Sequence, residues 1–144
     1  MKKLLLLAAI VLTAAASFGR DVHNRKVQFA FDRAFAGANN VSWYELSDNY
    51  MAKFTLNSRK ITAHFDRAGN LLATSRIISD AELPTQVINK LIRKYPNQKI
   101  HTIVEYAVEG STYYALTIES GTHWTTLRAD SFGEITMLTK LTKA

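Results

Sequence analysis

Cysteine is absent from the 144 residues. That excludes disulfides, a cysteine nucleophile and lipid attachment at a processed N-terminal Cys, so the fold must stand on its hydrophobic core. A membrane-spanning run is also missing: a span needs about 20 apolar residues, and the longest run, Leu4 to Leu12, is too short. Proline occurs only twice, as Pro84 and Pro96. Acidic residues are outnumbered, 12 against 18 Lys and Arg, which gives a formal net charge of +6. The cations form no block. Arg25-Lys26, Arg59-Lys60 and Arg93-Lys94 are separate pairs, which favours solubility and gives no recognition motif for nucleic acid.

The opening stretch MKKLLLLAAIVLTAAASFG reads as a cleaved signal peptide, residues 1–19. Lys2 and Lys3 supply the positive segment, an apolar core follows, and small residues offer Ala14-x-Ala16 or Ser17-x-Gly19 for cleavage. The mature chain is then expected in the periplasm or secreted, with a charge of +4 once the two lysines are gone. Its roughly 125 residues suffice for one domain without staples.

That domain, residues 20–144, reads as two pseudo-repeats, about 23–78 and 79–142. FDRAGN at 65–70 returns 64 residues later as ADSFGE, with Asp66 on Asp130 and Gly69 on Gly133. At the same offset, and without a gap, Tyr50 meets Tyr114, Ala63 meets Leu127, Val27 meets Leu91 and Phe31 meets Tyr95. Each repeat opens with a helix. Val27, Phe31 and Phe35 recur at helical spacing, as do Val87, Leu91 and Tyr95. Pro84 suits a first turn, Ser79-x-x-Glu82 resembles a capping box, and Pro96 closes the second helix. Four strands follow in each repeat, at 41–46, 49–57, 59–66 and 71–78, then at 99–109, 112–119, 122–130 and 134–141. Apolar and polar residues alternate along them, and short connections make neighbours antiparallel. The expected fold class is α+β: tandem α-β-β-β-β repeats forming one curved antiparallel sheet, eight-stranded, with two helices on one face. Asp-x-x-Gly between strands is a turn, since a calcium loop needs alternating oxygen ligands and a closing Glu.

Catalytic patterns are missing as well. No Gly-x-Ser-x-Gly occurs, and His23, His64, His101 and His123 stand at no metal-ligand spacing. Glu105 and Glu109 share one face of a strand, but four residues along a strand is about 13 Å, beyond the working range of paired carboxylates. They read as solvated strand charges. No enzyme activity, cofactor or metal is expected.

The combination Val41-x-Trp43, Tyr50-x-Ala52-x-Phe54, Phe65-Asp66-x-x-Gly69 and Leu83-Pro84 resembles the PepSY-like, β-lactamase-inhibitor-like family of small exported bacterial proteins. The resemblance runs from about residue 24 to the C-terminus. It implies the tandem helix-plus-four-strand fold and an open sheet face that can grip a partner. PepSY domains bind or restrain peptidases, so it also implies a binding role without chemistry. The inhibitor proteins carry disulfides and this chain has none, so β-lactamase inhibition does not carry over.

Strand alternation puts Ala63, Phe65, Thr125, Leu127 and Ala129 under the helices; the adjacent Trp43 and Tyr44 face opposite ways, and the resemblance implies that Trp43 is the one in the core. The open face then holds His64, Trp124, Thr126 and Arg128, with Tyr113, Ala115 and Thr117 beside them and Lys53 and Thr55 in repeat one. Tyr113, Trp124, Arg128, His64 and Lys53 are the candidate partner-binding residues, because aromatic and arginine side chains dominate binding hot spots. Cross-strand aromatic packing that merely shields the sheet is the structural alternative. The expected function is an exported, non-enzymatic protein-binding module for an envelope or secreted protein, a peptidase or other envelope enzyme being one target class. The alternative is a small-molecule or envelope-surface binder.

Overall fold

The computed structural model describes Ala16, Ser17 and residues 21–144. The expected signal peptide therefore lies outside the described residues, apart from those two. The strands are β1 (Ala16–Ser17), β2 (Asn39–Glu45), β3 (Asn49–Leu56), β4 (Arg59–Asp66), β5 (Leu71–Ile78), β6 (Lys99–Val108), β7 (Ser111–Glu119), β8 (His123–Asp130) and β9 (Ile135–Thr142). Helices α1 (Arg25–Ala34) and α2 (Thr85–Lys94) precede β2 and β6. All strands pair in chain order in one antiparallel sheet. Eight of them are long; β1 adds only a backbone pairing with Tyr44 and Glu45 on the β2 edge.

Each helix begins where the chain offers a cap. Asn24 Oδ1 accepts from the Lys26 and Val27 N–H groups at 3.0 and 3.2 Å, satisfying donors that the first turn leaves open. In repeat two Pro84 stands at the N-cap, and its carbonyl accepts from Val87 and Ile88. The Ser79–Glu82 pair forms, but around a separate 3-10 turn at Asp80–Glu82, where the Ser79 N–H donates to Glu82 Oε2 at 3.0 Å.

Both helices bury one stripe on the same sheet face. Over repeat one, Val27 and Phe31 meet Trp43, Ala52, Phe54, Ala63 and Phe65. The Phe31 ring stands edge-on to Trp43 at 5.1 Å and to Phe54 at 5.0 Å. Over repeat two, Val87 and Leu91 meet Ile103, Leu116, Ile118, Leu127 and Ala129. Each large side chain so buried contributes about 1.5–3 kcal/mol, and these clusters replace the missing disulfides.

The repeat is not gapless. Val27 and Phe31 correspond to Val87 and Leu91, 60 residues on, not to Leu91 and Tyr95. Trp43, opposite Ala52, likewise corresponds to Ile103, opposite Leu116. The 64-residue offset holds only from β3 onward, because the β6–β7 hairpin carries four more residues between these matched positions than β2–β3 does. Four residues is about one helical turn, so either offset keeps the apolar stripe in phase.

The carboxylate reading also changes. Glu109 lies in the β6–β7 turn with φ 48, beside Gly110 at φ 78. It does not share a strand face with Glu105. Glu105 is on the helix side, where it meets Arg76 Nε at 2.7 Å across the β5–β6 junction between repeats. It is an ion-paired, partly buried residue and not a solvated strand charge.

FDRAGN is a turn that holds a helix. Asp66 Oδ1 accepts from the Ala68 and Asn70 N–H groups, both at 2.9 Å. Asp130 Oδ1 accepts from Phe132 and Glu134 at 2.9 and 3.0 Å. Gly69 and Gly133 both have φ +92, and a Cβ on them would lie 2.8 Å from the Lys26 carbonyl oxygen and 3.1 Å from that of Gln86. Asn24 Nδ2 donates to the Arg67 carbonyl at 3.0 Å, and Gln86 Nε2 to that of Ser131 at 2.8 Å. In both repeats the turn is thereby pinned to the start of the helix.

Candidate functional site: the open sheet face

The sheet face away from the helices is formed by the residues that alternate with the core. Register fixes its rows. Ser42, Lys53, Thr62, Ser75, Tyr106, Tyr113 and Asp130 lie opposite one another in sequence across β2 to β8. In a neighbouring row Ile77, Val104, Ala115, Arg128 and Thr136 cross β5 to β9. Every candidate binding residue is on this face, as alternation required.

They do not form one cluster. Arg128 and Tyr113 come together, the guanidinium carbon 4.4 Å from the ring centroid. Arg128 makes no ion pair or side-chain hydrogen bond among the described residues, so its N–H donors are open to a carboxylate. Tyr106 lies directly opposite Tyr113. Trp124 sits toward the other end of β8, with the His101 ring edge-on at 5.0 Å and Lys143 Nζ at 5.0 Å from its ring. Lys143 also pairs with Glu119 at 2.5 Å and holds that carboxyl below its ordinary range. Lys53 belongs to repeat one, with Nζ 5.5 Å from the Tyr44 ring. It is separated from Arg128 by five strand spacings, roughly 24 Å on a flat sheet.

His64 is half-buried. Its Nδ1 is 3.3 Å from Asn49 Oδ1, and burial pushes its pKa down, so it is a neutral part of the surface at neutral pH. Lys53, Lys60 and Arg128 have no ion-pair partner among the described residues. Asp130, on the same face, spends its carboxylate on its own turn.

Relief on this face is shallow. A trough of about 560 Å³ in repeat one is lined by Ser42, Tyr44, Lys53, Thr55, Thr62 and Ile77, among others. Beneath the helices the space is filled by the two core clusters.

Tyr44 lies on the face, opposite in direction to the buried Trp43 as the sequence implied, whereas Tyr106, His101 and Ile77 belong to the face and escaped the sequence reading. Along β6 the inward residues are Ile103, Glu105 and Ala107, and the outward ones Val104, Tyr106 and Val108. Hydrophobicity alone would turn that strand over. The pairing of Tyr106 with Tyr113 follows once β7 is oriented, and that was the available signal. His101 is displaced by a bulge between Ile100 and Thr102, which alternation does not reveal.

No protein-family model matches the chain, and no curated protein matches it. Its fold recurs in solved structures. A BLIP-like protein from Bacteroides fragilis is 19% identical with a TM-score of 0.68, covering 94% of this chain and 91% of that one. A DUF2874 family protein from Bacteroides ovatus is 19% identical with a TM-score of 0.72, over 85% of this chain and 89% of that one. A protein from Bacteroides eggerthii ascribed to the periplasm is 15% identical with a TM-score of 0.72, over 85% and 90%. The chain thus has the β-lactamase-inhibitor-like architecture that the sequence resemblance implied, and at these identities the likeness is one of fold. The PepSY part of the resemblance rests on sequence alone. No helix among the described residues is long and apolar enough to cross a membrane.

Proposed function

We propose that this chain is an exported, non-enzymatic binding module that grips a partner protein with its open sheet face. One observation carries the reading: Tyr106, Tyr113 and Arg128 form an aromatic–cation patch on a sheet face that no helix covers. Such residues retain apolar area and directed donors that a partner can satisfy. The shallow relief fits a broad protein surface better than an enclosed small ligand, which pockets bury almost completely. Export rests on the signal-peptide pattern of residues 1–19, with one fold relative ascribed to the periplasm as support. Within that compartment a peptidase or another envelope enzyme is the partner class, held or restrained by the face. Capture from envelope extract by wild type, Tyr113→Ala and Arg128→Ala tests the reading. A partner retained by wild type and lost by both variants supports it. Equal capture by all three counts against it.

A further inference from the structure

Each repeat carries an exposed phenylalanine beside the strand turn that packs on its helix, one on the helix and one in the turn, and neither belongs to the core. In repeat one it comes from the helix. Phe29 is 67% exposed and lines a shallow cavity of about 590 Å³ with Lys26 and Arg33 of α1 and Ala68 and Gly69 of the β4–β5 turn. In repeat two the matching helix position is Asn89, and the turn supplies the ring instead. Phe132, 81% exposed, stands where repeat one has Ala68, next to Gly133. Gly133 lines the matching cavity with Lys90, Arg93 and Lys94. The β4–β5 and β8–β9 turns lie at the same end of the meander, four strand spacings apart, or roughly 19 Å.

A single exposed aromatic is ordinary. Two beside equivalent turns, supplied from different sequence positions, call for a common reason. Their surroundings are cationic. Lys26, Arg33 and Arg93 have no ion-pair partner among the described residues. Lys90 pairs with Glu134 at 3.2 Å, and Lys94 Nζ donates to the Ile135 carbonyl at 3.4 Å. Asp32, Asp66 and Asp130 nearby accept hydrogen bonds and keep their negative charge, but Arg25, Lys26 and Arg33 outnumber Asp32 and Asp66, and Lys90, Arg93 and Lys94 outnumber Asp130 and Glu134. An exposed ring with cations on the adjoining helix, twice at one end of the sheet, matches the headgroup region of an anionic bilayer, where aromatics sit at the interface and cations meet phosphates. A protein partner would need two apolar pockets at the matching separation, each rimmed by carboxylates. A lipid surface meets both rings at any spacing.

We propose that the helix side docks on an anionic phospholipid surface through Phe29 and Phe132, flanked by Lys26, Arg33, Lys90 and Arg93. The open sheet face, on the opposite side, would then point away from the membrane. This docking does not depend on the binding function proposed above.

The test uses the chain from Arg20, which keeps every residue of both core clusters and omits the apolar N-terminal run that would itself enter lipid. It is sedimented with vesicles of equal parts phosphatidylglycerol and phosphatidylcholine, and with phosphatidylcholine alone. Binding to the anionic vesicles only, weakened by salt, is expected. Phe29→Ser with Phe132→Ser should lower that partitioning at least about tenfold, and Arg33→Gln with Arg93→Gln should also lower it, with thermal melts showing both variants folded. Absence of binding, equal binding to both vesicle types, or a double-serine variant that binds like wild type overturns the proposal.

Discussion

Gly69 stands so close to Lys26 that a methyl group on it would come within 2.8 Å of the Lys26 carbonyl oxygen, while its φ of +92 already disfavours any side chain. Gly133 has the same φ but 3.1 Å of clearance to Gln86. Gly69→Ala should therefore cost about 1–3 kcal/mol, and Gly133→Ala less. Chemical denaturation of the two variants checks the order. A larger loss at Gly133 would contradict the close-approach argument.

Asp66 should make the fold sensitive to acid. Hydrogen bonds from the Asn70 side chain and backbone hold its carboxyl below the ordinary range. A carboxyl whose folded pKa is depressed adds stability above its unfolded pKa, and that contribution is lost as pH falls through the folded value. Asp66→Asn keeps the Oδ1 acceptor and has no proton to gain. It should cost little at neutral pH and flatten the loss of stability below about pH 4. Melts over that range would show an unchanged slope if the turn were not the cause.

The Arg76–Glu105 pair joins the repeats in a half-buried setting, with side-chain exposures of 35% and 21%. Glu105→Ala leaves a guanidinium with no partner on the helix side and should cost about 1–2 kcal/mol, between the surface and buried limits. Replacing both residues by Met should recover most of that. A double variant as unstable as the single one would show that packing, not charge, is at stake.

The strands were legible because alternation is simple: β3, β4, β7 and β8 fall within a residue of their expected bounds; Trp43 is buried as the family resemblance implied. The orientation of Trp124, Arg128 and Tyr113 followed from the same alternation. What failed did so for physical reasons. A shift of one helical turn leaves Val27 over an apolar residue at either offset, so the longer β6–β7 hairpin left no trace in periodicity. Glu105 points inward because Arg76 lies opposite it, a pairing between strands that a linear pattern cannot show. The contacts that divide the open face into separate groups, such as His101 against Trp124, depend on a bulge and on how far side chains reach.

The two sides of β8 should respond oppositely to truncation. Leu127 is fully buried in the second core cluster, so Leu127→Ala should cost about 2–5 kcal/mol. Trp124 is only half-buried, against His101 and Lys143, and Trp124→Ala should cost clearly less. Thermal melts of both variants decide it. A Trp124 variant less stable than the Leu127 variant would invert the face assignment.

Site-specific photo-crosslinking tests the binding role most directly. A photoreactive side chain at Thr117 or Thr126 lies on the open face between Tyr113 and Trp124; one at Asn89 lies on the helix side. In envelope extract, the open-face positions should trap one defined protein, and adding Arg128→Glu to the same chain should abolish the product. A partner trapped only from Asn89, or trapped from Thr117 and Thr126 regardless of Arg128→Glu, would contradict the assignment of the open sheet face as the binding surface.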